Sequence, residues 1–594
     1  MLELIIKNGT VVDGTGAAPF VADIGIQDGV IVQVQREGQI TQPAKRTIDA
    51  TGLHVMPGFV DIHTHYDGQA SWDETFSPSI YHGVTTVVMG NCGVGFAPVR
   101  PGEQARLIDL MEGVEEIPGS VLSEGLRWNW NTFAEYGQAL DAMPHNLNFM
   151  TLVPHDSLRL YVMGDRAERG EVATADDLAQ MQTLLKEALL AGGAGLAIGS
   201  TETHRTSKGN STPAFEVSTV ELNALAGVLK DLPYRVIQAV SDFASPRGAP
   251  EAEKERFDAE YQKLEDMAHI AGKPLSVTWM DRVNARNQAA WLSEASKAST
   301  AKGIDVRLQA ASRGVGVLSG LDTTLSLLQA FPSYAEVAHL DAAARAAKLR
   351  EPELRARILA ESPMRLSVAG SSIPPLVDYV ISNLDTVSGL FFPMKEVNGN
   401  IDYEPHPSTS FLYQAKTRGI SVREVLFDYL SEGDGTNLLY FPIFNYLTGS
   451  LDGVRSMLLH PNVLFSLGDA GAHVGTICDA SATTTMLAHW AVQRTRGETL
   501  PLPYVVNLLT QRNAQHMGLT DRGAIKIGQV ADINIINLEK LALPLPKVIR
   551  DLPAGGRRVL QKSSGYVATL VAGEVVVEDG VITGARPGRW LKGC

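Results

Sequence analysis

The chain has 594 residues, of which 44% are hydrophobic and 20% charged, and its formal net charge at pH 7 is −15. This length exceeds the usual size of a single domain, so we expect one large domain and a smaller one. The negative charge argues against nucleic acid and anionic membranes as partners, because both attract basic proteins.

Three features favour a cytoplasmic location. The three cysteines, Cys92, Cys478 and Cys594, are too few for a disulfide framework and suit a reducing compartment. The first residues lack the basic start and long apolar core of a signal peptide. We find no apolar run of about 18 residues, so we expect no membrane span.

Both ends of the chain have the pattern of short strands joined by tight turns. Asn-Gly at residues 8–9 and Asp-Gly at residues 28–29 separate apolar runs, which is a strong hairpin signal. Similar runs return near the end of the chain. We therefore predict a small β-sandwich domain built from residues 1–57 and 522–594.

The middle of the chain alternates apolar strands with helical stretches, which indicates a parallel sheet. Eight βα units favour a (β/α)₈ TIM barrel over residues 58–521, with its active site at the carboxyl ends of the strands. A doubly wound open sheet is the alternative, but no glycine-rich dinucleotide fingerprint follows the first strand. The predicted strands are Gly58–His65, Val84–Asn91, Asn148–His155, Gly193–Thr201, Tyr234–Asp242, Pro274–Asp281, Asp305–Ser312 and Val463–Ala470.

The connection before the last predicted strand is unusually long. About 150 residues separate Ser312 from Val463, whereas a βα unit needs only about thirty. We predict an insertion over about residues 313–462, and it contains aromatic-rich pieces such as Tyr440–Tyr446. This insertion either covers and shapes the site or forms a helical subdomain with its aromatic side chains packed inward.

The first predicted strand ends in two histidines, His63 and His65. Side chains alternate between the two faces of a strand, so both imidazoles point the same way. In a closed barrel the second and eighth strands are neighbours of the first, and Cys92 and Asp469 follow them. Two imidazoles, a thiolate and a carboxylate suit a zinc ion, so these four residues are the predicted metal ligands.

The same residues resemble a known family. The run Pro57–His65 is similar to the opening metal motif of the amidohydrolase superfamily, and Ala524–Ile533 resembles its return into a β-sandwich. His82–Pro98 is similar to the N-acyl-D-amino-acid deacylases, also called D-aminoacylases, and Gly468–Gly475 resembles their longer members. The resemblance covers nearly the whole chain. It implies a zinc-dependent enzyme that hydrolyses the amide bond of a small substrate, an N-acyl amino acid of D configuration.

The sequence departs from that family at a second metal position. Better-studied members carry histidines on the fifth and sixth strands, which together with the cysteine hold the tightly bound zinc. Here Arg235–Ser241 and Leu275–Met280 contain no histidine, and Gly195–Ser200 of the fourth strand has no lysine for carbamylation. We therefore expect one zinc ion per chain, on the side of the first, second and eighth strands.

Four further side chains are predicted to face the substrate because they follow strand ends. They are His155 after the third strand, His204 and Arg205 after the fourth, and His473 after the eighth. Arg205 is the candidate for binding a substrate carboxylate, because a guanidinium group matches a carboxylate bidentately. Short-form deacylases use an arginine after the eighth strand, and the corresponding stretch of this chain has none.

The predicted reaction is amide hydrolysis by metal-activated water. Asp469 is the predicted catalytic residue, taking the proton of the water and delivering it to the leaving nitrogen. Hydrolysis of another amide or of a cyclic imide is one alternative, and a binding protein that kept the barrel without the two histidines is another. The acyl group, the preference for D over L, and the oligomeric state, including a homo-oligomer, stay open.

Overall fold

The computed structural model describes residues 1–37, 39–243, 252–368, 373 and 375–593. Cys594 lies outside these residues. The fold is mixed α/β and combines a sheet made by both chain ends, a ring of parallel strands and an inserted segment. None of the helices in the described part of the chain has the length and apolar character of a membrane span.

Within the described ranges, strands from both ends of the chain form one nine-stranded sheet. Leu2–Val11 pairs along one edge with Phe20–Gln27, and along the other with Ala44–Asp49 and then His54–Pro57. Ile533–Ile536 pairs with His54–Pro57 and so joins the two chain ends. This arrangement is consistent with a β-sandwich domain. The other strands of the sheet are Val30–Gln35, Tyr566–Val571, Glu574–Glu578 and Val581–Ile582.

One of the two predicted turns near the start is wrong. Asp28 and Gly29 do form the turn between two strands, but Asn8 and Gly9 lie inside Leu2–Val11, where the pairing register shifts as in a β-bulge. Asn8 adopts a φ of 57°, which suits a bulge as well as a turn. An Asn-Gly pair indicates a left-handed backbone conformation. The long-range pairing of the strands determines whether that conformation forms a hairpin turn or a β-bulge.

Eight parallel strands of the described residues follow one another in chain order round a ring. The third is in two pieces, because Asn148–Thr151 pairs with the second strand and Val153–Pro154 with the fourth. The ring closes where Thr64 forms a parallel bridge with Ala470. This topology is consistent with a (β/α)₈ barrel, and every predicted strand contains one of its strands. The others are Phe59–Asp61, Val84–Met89, Gly195–Ser200, Val236–Ser241, Leu275–Thr278, Val306–Ala310 and Val463–Phe465.

Helices cover the outside of the ring. Ala175–Ala191 begins with a capping box between Thr174 and Asp177, which satisfies backbone N–H groups at its first turn. Its apolar face, including Met181 and Leu185, is buried in the core between strands and helices. The helices outside the insertion are Gln104–Glu115, Gly119–Gly125, Phe133–Asp141, His155–Met163, Asp165–Glu168, Ala175–Ala191, Thr219–Leu229, Glu253–Ala271, Gln288–Ala301, Ala482–Thr485, the π-helical Met486–Gln493, Leu502–Leu509 and Gln511–His516.

The insertion between the seventh and eighth ring strands has a hydrophobic core of its own. Phe391, Phe411 and Phe427 are buried in it, so these aromatic side chains pack inward. Its small strands are Gly316–Gly320, Phe392–Pro393, Glu396–Val397, Asn400–Ile401 and Leu438–Pro442. Its helices are Ala342–Leu349, Pro352–Ala360, Pro375–Ser382, Leu384–Val387, Phe411–Arg418, Val422–Ser431 and Asp452–Leu458. A separate hairpin, Lys547–Leu552 with Gly556–Leu560, lies near the end of the chain.

The insertion also touches the loop that follows the eighth ring strand. Leu318 N donates to Thr476 O at 2.6 Å, and Thr324 N donates to Gly475 O at 3.1 Å. The segment therefore packs its own aromatic core and also contacts a loop at the carboxyl end of the ring, and its role in shaping the site stays a prediction.

Candidate metal centre

Three side chains meet at the carboxyl ends of the first and second ring strands. Cys92 Sγ lies 3.3 Å from His63 Nε2 and 3.8 Å from His65 Nε2. All three residues are buried. The potential ligand atoms of these three residues all lie within 4.8 Å of one another.

Asp469 brings a carboxylate to the same cluster from the loop after the eighth strand. Its Oδ1 lies 3.4 Å from His63 Nε2 and 3.8 Å from His65 Nε2. The preceding residue, Gly468, lets the loop backbone pass close to Asp61, because a Cβ at position 468 would stand 2.5 Å from the buried carboxylate of Asp61. The four predicted ligands therefore lie together, with Asp469 at the more exposed side.

Both imidazoles turn their Nδ1 atoms away from the cluster and towards oxygen atoms. His63 Nδ1 lies 2.8 Å from Gln309 Oε1, and Gln309 in turn donates to Ser276 Oγ at 2.9 Å. His65 Nδ1 lies 3.3 Å from Glu115 Oε1. Hydrogens on Nδ1 leave both Nε2 lone pairs facing Cys92 and Asp469, so the donor set fits one divalent ion.

Cys92 sits in a tight turn whose backbone the fifth strand supports. It adopts a left-handed φ of 60°, and its N–H donates to Gln238 Oε1 at 2.9 Å. Burial raises the pKa of its thiol well above the usual value, and the nearby carboxyl groups of Glu115 and Asp469 add to this effect. A thiolate here requires a positive charge beside it, which a bound metal ion supplies.

The fifth and sixth strands, which lack histidine, present an amide and a hydroxyl to this region. Gln238 accepts from the backbone of Cys92, and Ser276 accepts from Gln309, which faces His63. These groups position the predicted ligands through hydrogen bonds. The number of metal ions stays a prediction.

Two adjacent glutamates that the sequence analysis missed surround His473. His473 Nε2 lies 3.9 Å from Glu115 Oε2, and its Nδ1 lies 3.3 Å from Glu116 Oε2. Burial opposes protonation of His473, but Glu116 and then Glu115 outweigh it and raise its pKa to about 9. Burial raises the pKa of Glu115, whereas the neighbouring His473 opposes this shift. A helix that ends in two glutamates gives no sequence signal for such a role.

The other predicted substrate-facing residues differ in their surroundings. His155 is buried and its Nε2 lies 2.7 Å from Glu221 Oε1, so its contacts are with Glu221 and not with the cluster. Arg205 Nη1 donates to Gly209 O at 3.2 Å, within its own loop. His204 lies close enough to His473 and His63 for their charges to lower its pKa.

His204 also identifies a cation that the sequence analysis missed. Burial lowers the pKa of His204 to about 3, and the charges of His473, His63 and Arg282 add to this effect. Arg282 follows the sixth strand, where it pairs with Phe444 of the insertion in a β-bridge and its Nη2 donates to Ser241 O at 3.4 Å. A guanidinium group therefore lies near the site on the side of the sixth strand.

The fold and the cluster define an α/β protein with a candidate metal site at the carboxyl ends of its ring strands. The chain belongs to the Amidohydrolase family, whose sequence profile it matches over residues 46–366 and 441–577. The unmatched stretch between these ranges lies in the insertion.

Curated relatives match a smaller part of the chain. D-aminoacylase of Alcaligenes xylosoxydans xylosoxydans is 34% identical over 199 residues, which are 33% of this chain and 38% of that protein. D-hydantoinase of Ralstonia pickettii is 48% identical over 118 residues, which are 20% of this chain and 24% of that protein. The chain thus spans well under half the length of each of these relatives.

A solved D-aminoacylase structure covers 100% of both chains with a TM-score of 0.63 and 22% identity. That enzyme has a binuclear metal centre with one-metal activation and second-metal attenuation. At this level of identity the similarity concerns the fold, and it supports the arrangement of ring and terminal sheet described above.

Proposed function

We propose that the protein is a zinc-dependent hydrolase that cleaves the amide bond of an N-acyl amino acid, with preference for the D configuration. The observation that carries this proposal is the convergence of His63, His65, Cys92 and Asp469 in a chain of the Amidohydrolase family. The similarity to D-aminoacylase over a third of the chain supports the substrate class. One zinc ion per chain is proposed.

A divalent ion held by these four side chains would polarise the scissile carbonyl and acidify a water molecule. The chain supplies the rest of the chemistry. The acceptors at Nδ1 of His63 and His65 keep both Nε2 atoms free of protons. Asp469 Oδ1, on the more exposed side of the cluster, takes the proton from the attacking water and delivers it to the leaving nitrogen.

Arg282, rather than Arg205, is the residue we propose for binding the substrate carboxylate. Arg205 is engaged with a carbonyl group of its own loop. Arg282 also donates to a carbonyl group, Ser241 O at 3.4 Å, but it lies near His204 and its planar guanidinium group matches a carboxylate. An N-acyl amino acid with a free carboxylate should therefore be preferred over its neutral amide.

The test is a substrate panel assayed with and without a chelator. The panel contains N-acyl D- and L-amino acids, the corresponding N-acyl amino-acid amides, and cyclic imides. We expect hydrolysis that stops with the chelator and returns with zinc, and that is fastest for D substrates with a free carboxylate. His63→Ala is the control and should lose both zinc and activity while staying folded. Full activity after complete removal of metal would contradict the proposal.

Hydrolysis of a cyclic imide is the second candidate, and the similarity to D-hydantoinase favours it. The same panel separates the two, because this candidate predicts that ring opening exceeds amide hydrolysis. A protein that retains zinc but hydrolyses no member of the panel would favour a binding role.

A further inference from the structure

We propose that Glu115 is a positioning residue that holds His65 in the orientation needed for metal binding. This inference rests on the proposed function and extends it to a residue outside the four predicted ligands. Glu115 is the last residue of the helix Gln104–Glu115, and only 2% of it is exposed to solvent.

The facing atoms of Glu115 and His65 have no competing partner. Glu115 Oε1 lies 3.3 Å from His65 Nδ1, and neither atom has a hydrogen-bond partner elsewhere within the described ranges that would compete for it. A buried polar atom without a partner is costly, so each atom is the natural partner of the other. A hydrogen on Nδ1 directed at this carboxylate leaves Nε2 free on the side of Cys92 and Asp469.

The two histidines of the cluster are oriented by chemically different groups. His63 Nδ1 faces the neutral amide of Gln309, whereas His65 Nδ1 faces a carboxylate. A carboxylate partner fixes the ring and makes the ligand nitrogen more basic, and losing such a partner typically reduces metal affinity about 10- to 100-fold. We therefore expect His65 to depend on its partner more strongly than His63 does.

Glu115 also contacts the loop that carries Asp469. Its backbone carbonyl accepts from His473 N at 2.5 Å, and its Oε2 lies 3.9 Å from His473 Nε2. The carboxylate of the next residue, Glu116, lies 3.3 Å from the other ring nitrogen of His473, Nδ1, and accepts from Thr476 Oγ1 at 2.7 Å. Glu116 therefore holds the same loop as Glu115 without facing His65, which makes it a matched control.

The experiment measures cobalt affinity by competition with a chelator, using the full-length chain and three variants. Glu115→Ala should bind cobalt about 10- to 100-fold more weakly. Glu115→Gln keeps an acceptor but loses the charge, so its loss should be smaller. Glu116→Gln should bind cobalt like the wild type. Saturating zinc should restore most of the activity of Glu115→Ala, because the four ligands remain.

The outcomes separate this inference from the function on which it rests. Wild-type cobalt affinity in a folded Glu115→Ala variant overturns the inference and leaves the proposed function standing. Equal losses in Glu115→Gln and Glu116→Gln assign both residues to holding the loop and also overturn it. If Glu115→Ala does not fold, the comparison of the two glutamine variants decides. A wild-type chain that binds no cobalt contradicts the proposed function, and the inference fails with it.

Discussion

The carboxylate of Asp469 differs from the other three predicted ligands in its exposure. Its side chain is 18% exposed, whereas the imidazoles of His63 and His65 are 1% exposed. Asp469 also adopts a positive φ of 42°, and Leu467 two residues earlier one of 64°, so the loop turns sharply to bring the carboxylate back to the cluster. A group at this position can contact both a metal and an entering substrate.

We expect Asp469→Asn to separate proton transfer from metal binding. The amide keeps one oxygen for the metal but removes the basic site, so turnover should fall by at least about 100-fold while zinc content falls much less. Steady-state kinetics and elemental analysis of the same samples measure the two effects. Asp469→Ala should also weaken zinc retention.

Near wild-type turnover in a zinc-loaded Asp469→Asn variant would place the proton transfer elsewhere. His204 and His473 would then be the next residues to replace, because both lie near the cluster.

The fourth ring strand packs directly against the turn that carries Cys92. A Cβ at Gly199 would stand 2.4 Å from Cys92 O, which is closer than backbone atoms allow. On the other side of the turn, Gln238 of the fifth strand accepts from Cys92 N. The position of the thiol is therefore set by two strands that supply no predicted ligand.

We expect Gly199→Ala to lower both stability and zinc content, because the methyl group must displace the Cys92 turn. Gly227→Ala is the matched control. It lies in the helix Thr219–Leu229 with open space around it, so alanine should stabilise the protein by about 0.5–1 kcal/mol. Thermal midpoints and zinc analysis measure the effects. Unchanged zinc content in Gly199→Ala would mean that the turn tolerates displacement.

A buried ion pair joins the insertion to the part of the chain that follows the ring strands. Glu404 of the insertion accepts from Arg494 Nη2 and Nε at 3.0 and 3.1 Å, and from Leu451 N at 2.8 Å. His489 Nε2 lies 3.2 Å from the same carboxylate. Burial raises the pKa of Glu404, but the hydrogen bonds with His489 and Arg494 outweigh it and lower the pKa to about 2.

This shift predicts a stabilisation that depends on pH. A carboxylate with a lowered pKa stabilises the folded state fully above its ordinary value, near 4.5, and the effect is lost as pH falls towards 2. Glu404→Gln should therefore cost about 3 kcal/mol at pH 7, because the buried Arg494 then keeps only Asp452 as an ion-pair partner. The difference from the wild type should shrink between pH 4.5 and pH 3.

Thermal unfolding at several pH values measures this difference. Glu498→Gln is the control, because it removes the same charge from an exposed ion pair with Arg455 and should change little. An equal effect of Glu404→Gln at pH 7 and pH 3 would show that the ionised carboxylate does not stabilise this junction.

The sequence alone determined the order of the ring strands and the four predicted metal ligands. Alternating strands and helices imply a ring in chain order, and neighbouring strands then bring residues such as His63, Cys92 and Asp469 together. These signals are local, since each depends on the residues of one strand and its end. Strand alternation was enough to place His63 and His65 on the same side.

Only the tertiary structure decided what orients these residues and what surrounds them. Glu115 faces His65 from the end of a helix, Arg282 lies in a loop that pairs with the insertion, and His155 follows a strand yet pairs with Glu221. Likewise, Asn8 takes part in a bulge because the partner strand shifts register. The physical reason is that such contacts depend on the packing of segments far apart in sequence, which no local pattern of side chains encodes.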